Sequence, residues 1–321
     1  MATALGLDVG GTKIAAGVVD DAGRVLASVR RPSPTHDFAA ALAVIDEIVE
    51  SLGREHEVSA IGIGAPGFVD NDMSTISLAP NLGWRNVNLG AAVADRTGLP
   101  TVVENDANAA AWAEYRFGAA QGLGSAVILT IGTGIGGGIL EGGRLVRGRY
   151  GFAAEVGHIE IKADGRRCSC GLRGCWERYG SGTALVHEAR ELATVAPANA
   201  RRLLELAGGD VQRIDGPVVT EAALQLDPTA LEIFAIVGTW IGRGMAQLAA
   251  VLDPAAFVLA GGVAEAGEIL RAPAVAALEQ RLTARSFRTA PQVLLTGLSG
   301  QAGIVGAADL ARAGSAAPAG V

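Results

Sequence analysis

Residues 8–13 read Asp8-Val9-Gly10-Gly11-Thr12-Lys13, and residues 130–134 read Thr130-Ile131-Gly132-Thr133-Gly134. Each glycine turn sits between short apolar runs, residues 4–7 and 14–19 around the first, 125–131 and 139–140 around the second. Apolar runs of this length punctuated by glycine read as strands joined in a hairpin. The likeness continues downstream, where Gly23-Arg24-Val25 lines up with Gly143-Arg144-Leu145 across one small gap. We read an internal duplication, two related strand–turn–strand units heading two domains. The competing reading is chance likeness between glycine-rich hairpins.

Outward from the first turn, residues 24–31 continue a β-meander. Residues 38–52 place Phe38, Leu42, Ile45, Ile48, Val49 and Leu52 on one helical face. Residues 60–64 read as a buried strand, 89–97 as a helix, 101–104 as a strand, and 107–117 as an alanine-rich helix closed by Gly118. Beyond the second turn, helical patterns fall at 183–194, 200–206, 221–226, 229–252, 274–284 and 303–313, with strands at 257–260 and 293–296. Asp253-Pro254 stops the long helix. The tail at 314–321 is expected to be disordered. Strands alternating with helices make an α/β protein, and 321 residues favour two domains.

Composition narrows the function. Half the residues are apolar, only 4% are aromatic, and 45 are glycine, which suits tight loops around a ligand. The net charge is −7, so no basic footprint points to nucleic acid or an anionic membrane. Lysine occurs only at 13 and 162. The first eight residues lack a basic n-region, and no run of ~18 apolar residues suggests a membrane span. A cytoplasmic protein is expected. The helix at 229–252 has two readings, an interface of a homo-oligomer (dimer or tetramer) or plain core packing.

Two strings, Gly132-Thr-Gly134-Ile-Gly-Gly137 and Gly62-Ile-Gly64-Ala-Pro-Gly67, match a dinucleotide pattern, yet neither opens a convincing helix. A P-loop requires Gly-Lys, and neither lysine follows glycine. The turns carrying Thr12 and Thr133 are therefore read either as backbone nests for phosphate or as ordinary hairpin turns. Val103-Glu104-Asn105-Asp106-Ala107-Asn108 crowds polar groups between a strand and a helix. Asn105 and Asp106 are read as helix caps, or Asp106 as a general base with Asn105 orienting its substrate hydroxyl.

The three cysteines of the chain lie together in Cys168-Ser-Cys170-Gly-Leu-Arg-Gly-Cys175, ten residues after the His158 of Glu155-Val-Gly-His158. His158, Cys168, Cys170 and Cys175 form a Cys3His set that suits structural Zn2+ with no open position. Flanking acids Glu155 and Glu177 would be held by the metal loop and left free to bind a polar substrate.

Taken together, these segments resemble the ROK family of bacterial sugar kinases and related repressors, from about residue 6 to 310. The Glu155–His158 and Cys168–Glu177 motifs carry the resemblance most specifically, and within the family the chain is most similar to the actinobacterial-type glucokinases. The resemblance implies a two-domain α/β, actin-like ATPase (ribonuclease H-like) fold with an interdomain cleft. It implies a small domain at 1–108, rejoined by the helix at 303–313, and a large domain at 109–302 with a zinc loop at 158–175. It implies ATP-dependent phosphorylation of the glucose 6-hydroxyl, with Asp106 as base. Gly67, Asn81, Asn105, Asp106, Glu155, His158 and Glu177 would contact the sugar. Asp8, Gly10, Gly11, Thr12, Lys13, Thr133, Gly134, Gly261 and Gly262 would face ATP, with Asp8 on the side of Mg2+. His158 would ligate zinc through one ring nitrogen and meet sugar through the other. Another hexose or N-acetylhexosamine, polyphosphate as donor, and a sugar-sensing regulator remain the alternatives. The family's repressors carry a DNA-binding segment ahead of the core, for which the turn at Asp8 leaves no room.

Overall fold

The structure, a computed structural model, describes residues 3–298 and 300–316. The chain opens with β1 (Thr3–Val9), β2 (Lys13–Val19), β3 (Val25–Pro32), α1 (Phe38–Gly53) and β4 (Val58–Ala65). Then come β5 (Phe68–Val69), β6 (Thr75–Ala79), β7 (Trp84–Asn88), α2 (Leu89–Thr97), β8 (Thr101–Asn105) and α3 (Asp106–Phe117). The second half holds β9 (Ser125–Ile131), β10 (Ile135–Glu141), β11 (Arg144–Leu145), α4 (Glu177–Gly180), α5 (Gly182–Val195) and α6 (Arg201–Leu206). It continues through α7 (Gly216–Leu224), α8 (Pro228–Leu252), β12 (Ala256–Ala260), α9 (Glu268–Arg281), β13 (Gln292–Leu295) and α10 (Ala302–Ala316).

Packing divides the chain into two units. The first comprises Met1–Gly124, Gly138–Ala154 and Gly297–Val321, the second Ser125–Gly137 and Glu155–Thr296. The sequence-based boundary at residue 108 cuts α3, which lies whole in the first unit.

The first unit is built on a sheet ordered β3-β2-β1-β4-β8. β1 is antiparallel to β2 and parallel to β4, and β4 is parallel to β8. Side chains alternate across β1. Leu5, Leu7 and Val9 join the cluster that holds Ile45 and Ile48 of α1. Ala4 instead joins Ile304, Val305 and Ala308 of α10. On that second face Gly6 and Gly62 let α10 lie flush on the sheet, since a Cβ at either would overlap a carbonyl of α10, Ile304 or Ala307. Residue 8 shares this face, so the Asp8 side chain meets the start of α10 at Gly303. β3 alternates half-buried and exposed residues, as an edge strand does. A three-stranded sheet, β5-β6-β7, is inserted after β4.

The other five-stranded sheet runs β11-β10-β9-β12-β13, with β9, β12 and β13 parallel. Both sheets thus share one order: a meander, then two parallel strands beyond its first strand. The duplication read from the two glycine turns has a structural counterpart in that order.

Among the described residues, α8 alone is long and apolar enough to span a membrane by length and composition. Its stripe of Phe234, Val237, Ile241 and Met245 is buried, and it packs along α9. The N-terminus of α8 is set by Asp227, whose side chain accepts the Ala230 N–H, followed by Pro228. Three expectations are corrected. α7 begins at Gly216, five residues early, because Asp215 caps it and Pro217 fits its first turn. α9 begins at Glu268 and carries Pro273 inside it. Residues 314–316, expected to be disordered, continue α10; residues 317–321 of that expected tail lie outside the described residues.

Candidate active site

Three adjacent parallel strands of the first unit end together. The register pairs Asp8 with Gly64 and Gly64 with Glu104, so Asp8, the loop after Ala65, and Asn105-Asp106 all stand at the carboxyl ends of β1, β4 and β8. Ligand sites in parallel sheets form at such ends. Asn105 caps α3, its Oδ1 accepting the N–H groups of Ala107 (2.9 Å) and Asn108 (3.1 Å). Its Nδ2 donates to the Gly67 carbonyl at 3.0 Å. The capping role therefore falls to Asn105, and Asp106 is the first residue of the helix. Asp106 Oδ1 accepts the Ala107 N–H at 2.8 Å. Its backbone lies beside Gly64.

The first glycine turn closes on itself, the Gly10 N–H donating to the Lys13 carbonyl at 2.9 Å. Gly11, Thr12 and Lys13 are exposed. Burial pushes the Asp8 carboxyl above the usual carboxylate range, and the charge of Lys13 opposes that shift. Asn81 lies in a short turn, Pro80–Leu82, with its carbonyl next to Gly11. Asp8, Gly10–Lys13, Gly67, Asn81, Asn105 and Asp106 thus belong to connected loops of one unit.

In the second unit, His158, Cys168, Cys170 and Cys175 converge, with their ligand atoms all within 4.8 Å of one another. Backbone bonds shape the loop: Cys168 N–H donates to the Leu172 carbonyl (2.9 Å), Gly174 N–H to Arg166 (2.9 Å), and Trp176 N–H to Ile159 (2.8 Å). Buried Trp176 anchors the loop to α8, its Nε1 donating to the Trp240 carbonyl at 2.8 Å. His158 Nδ1 faces the Cys168 Sγ at 3.6 Å, while Nε2 faces Glu155 Oε2 at 3.9 Å. The Cys168 thiol donates to Glu177 Oε1 at 3.0 Å. Burial and then the neighbouring thiols push Cys175 up to about 12, so a metal must displace a firmly held proton there. Three thiols and an imidazole this close fit a tetrahedral Zn2+. Burial raises Glu155 as well, opposed by His158 and reinforced by Glu177.

The second glycine turn, in the same unit, adjoins this loop. A Cβ on Gly134 would press on Glu177 Oε2. The turn is pinned to the start of α5: Gly182 N–H donates to the Gly132 carbonyl (2.8 Å), and Thr183 Oγ1 to the Thr133 carbonyl (2.7 Å). Thr133 and Gly262 line a cavity of about 790 Å³, together with Thr183, Asp215 and Glu265. Neither Gly134 nor Gly261 lines it; Gly261 is a left-handed turn beside Ile131. The volume suits a nucleotide-sized ligand. Sequence reasoning missed Thr183, Asp215 and Glu265. The helix caps at Ser181 and Asp215 were the available signal for two of them.

A model of the ROK family matches residues 4–314. The chain is similar to the glucokinase of Streptomyces coelicolor, 44% identical over 312 residues that cover 97% of this chain and 98% of that one. It is also similar to a solved structure of a ROK family glucokinase from Streptomyces griseus in complex with glucose and AMPPNP. That likeness has a TM-score of 0.89 at 48% identity, covering 97% of this chain and 100% of the other. The ROK hexokinase from Thermus thermophilus gives a TM-score of 0.81 at 35% identity, over 98% and 99% of the two chains. These likenesses and the repeated sheet order make the fold an actin-like ATPase fold. The chain belongs to the ROK family.

Proposed function

We propose that this protein is an ATP-dependent glucokinase, transferring the γ-phosphoryl group of ATP to the 6-hydroxyl of glucose. The observation that carries the reading is the Asn105-Asp106 pair at the carboxyl end of β8, with Asn105 fixed by its own helix and Asp106, assigned to accept the hydroxyl proton, at the first position of that helix. The likeness to a glucokinase described with glucose and AMPPNP supports the choice of sugar and donor.

Each group has a role that follows from its chemistry. Phosphoryl transfer needs alignment and charge stabilisation more than covalent help. Asp106 takes the proton of the attacking hydroxyl. Asn105 orients that hydroxyl, with its amide already ordered by the Gly67 carbonyl. Sugar hydroxyls both donate and accept, and carboxylates and amides serve them in pairs. Gly67, Asn81, Glu155, His158 and Glu177 are assigned to them. ATP is assigned to the cavity at Thr133 and Gly262, and its phosphates to the backbone of Gly10–Lys13 and Gly134, with Gly261 shaping the adenosine segment. Asp8 would face the Mg2+ carried by ATP, which supplies charge neutralisation at the phosphates. His158, Cys168, Cys170 and Cys175 would hold Zn2+, which would fix the ring of His158 and the placement of Glu177. The protein is proposed to act in the cytoplasm as a homo-oligomer, without nucleic acid or membrane partners.

Product identity tests this reading. Mg-ATP and glucose should yield glucose 6-phosphate and ADP. Faster phosphorylation of another hexose would change the substrate, and use of polyphosphate in place of ATP would change the donor.

A further inference from the structure

Behind Asp106 lies a polar network that the reaction as described leaves unused. Glu104 is only 2% exposed, at the end of β8, two residues before the proposed base. Its Oε1 accepts the Asn105 N–H at 2.9 Å and the Asn108 Nδ2 at 3.1 Å. Its Oε2 forms an ion pair with Arg147. The two groups bound to Oε1 come from residues immediately before and two after Asp106, so this one oxygen holds the backbone before it and a side chain after it.

Arg147 is itself held. The Val146 N–H donates to the Ile139 carbonyl at 2.8 Å, and the Arg147 carbonyl accepts the Ala153 N–H at 3.0 Å. Two residues on, the Arg149 carbonyl accepts Asn71 Nδ2 at 2.6 Å. Asn71 follows β5, the strand that starts directly after Gly67, and the Gly67 carbonyl receives Asn105 Nδ2. The contacts close a ring, from Gly67 through Asn105, Glu104, Arg147, Arg149 and Asn71 back to β5. Asp106 sits on its rim.

We propose that Glu104 and Arg147 are positioning residues: a charge-compensated clamp that fixes Asn105 and Asp106 for proton abstraction. A buried ion pair is a poor device for stability alone, because apolar residues of similar volume often replace one at no loss. A carboxylate held by a guanidinium at one oxygen and by two N–H donors at the other is instead fixed in direction. Removing one partner leaves an uncompensated buried charge, which the segment relieves by moving. Displacement of a catalytic group by about 1 Å costs roughly 10²-fold in rate.

This proposal rests on Asp106 being the base, so Asp106→Ala is assayed beside the clamp variants. Glu104→Gln and Arg147→Met should each lower kcat roughly 10–100-fold, with KM for ATP unchanged. The double variant Glu104→Gln/Arg147→Met should lose less than the product of the two single losses, because neither charge is then buried alone. Arg147→Lys, the conservative variant least able to disturb folding, should recover part of the Arg147→Met loss. Unchanged kcat in Glu104→Gln and Arg147→Lys, additive losses in the double variant, or losses in Tm alone would overturn the clamp. An inactive Asp106→Ala beside fully active clamp variants removes only this proposal. A fully active Asp106→Ala removes the base assignment beneath it.

Discussion

The two glycine turns occupy the same place in the same strand order, yet they have become different devices. Both close on themselves, Gly10 N–H to the Lys13 carbonyl at 2.9 Å and Gly132 N–H to the Gly134 carbonyl at 3.0 Å. The first carries charge at each end, with Asp8 pressed against the start of α10 and Lys13 exposed. The second carries none. It is tied through the carbonyls of Gly132 and Thr133 to the start of α5, borders a cavity, and abuts the Glu177 carboxylate. A hairpin at the end of a parallel sheet supplies only a place; the side chains and the helix beside it decide the chemistry.

The comparison breaks most severely at Asp8. Asp8→Asn should lower kcat by roughly 10²–10³-fold if this carboxylate serves the charge of the transferring phosphate, while raising thermal stability at neutral pH. The sign follows from the direction of its pKa. Burial raises it, so the folded chain holds that proton to higher pH than the unfolded chain does. Stability from this group therefore falls as pH rises from the unfolded value through the folded one, and the neutral amide escapes that loss. Wild-type kcat would show the first turn to be a plain hairpin, and a lower Tm above that window would contradict the upward shift of Asp8.

Effects at the second turn should be smaller and should appear in binding. Cys170→Ser removes one of the four proposed metal ligands, and zinc affinity should fall at least 10–100-fold, measured by metal content after dialysis against a chelator. KM for glucose should rise with it, since His158 and Glu177 lose their support. Gly134→Ala should raise KM for glucose about tenfold, the size of one hydrogen bond to a charged group. Its Tm should hardly change, because the added methyl displaces only the flexible end of Glu177. A large drop in Tm with KM unchanged would mean that the second turn supports the fold and not the sugar site.

The parts legible from sequence are those whose signal is local. The Cys3His set is compressed into one loop and its neighbour, so residue type and spacing suffice. Asn105 and Asp106 stand where a strand gives way to a helix, a boundary that composition marks well. Of the two residues read there as caps, the structure gives the cap to Asn105 and the first helical position to Asp106. The insert β5-β6-β7 was not legible, because its strands are short and mix buried, half-buried and exposed residues. The start of α9 was hidden by Pro273, which sequence rules read as a stop; its ring packs against Gly238 of α8. Arg147 has no local mark at all. It lies in the loop after β11 and its partner Glu104 on β8, and only the fold brings the two together.

The most direct test of the central claim is ADP release from Mg-ATP across a panel of hexoses, with wild type and Asp106→Ala side by side. Glucose should support turnover, and the variant should lose about 10²–10⁴-fold in kcat, the range for a missing general base. No turnover with any hexose, or undiminished turnover in Asp106→Ala, would contradict the account.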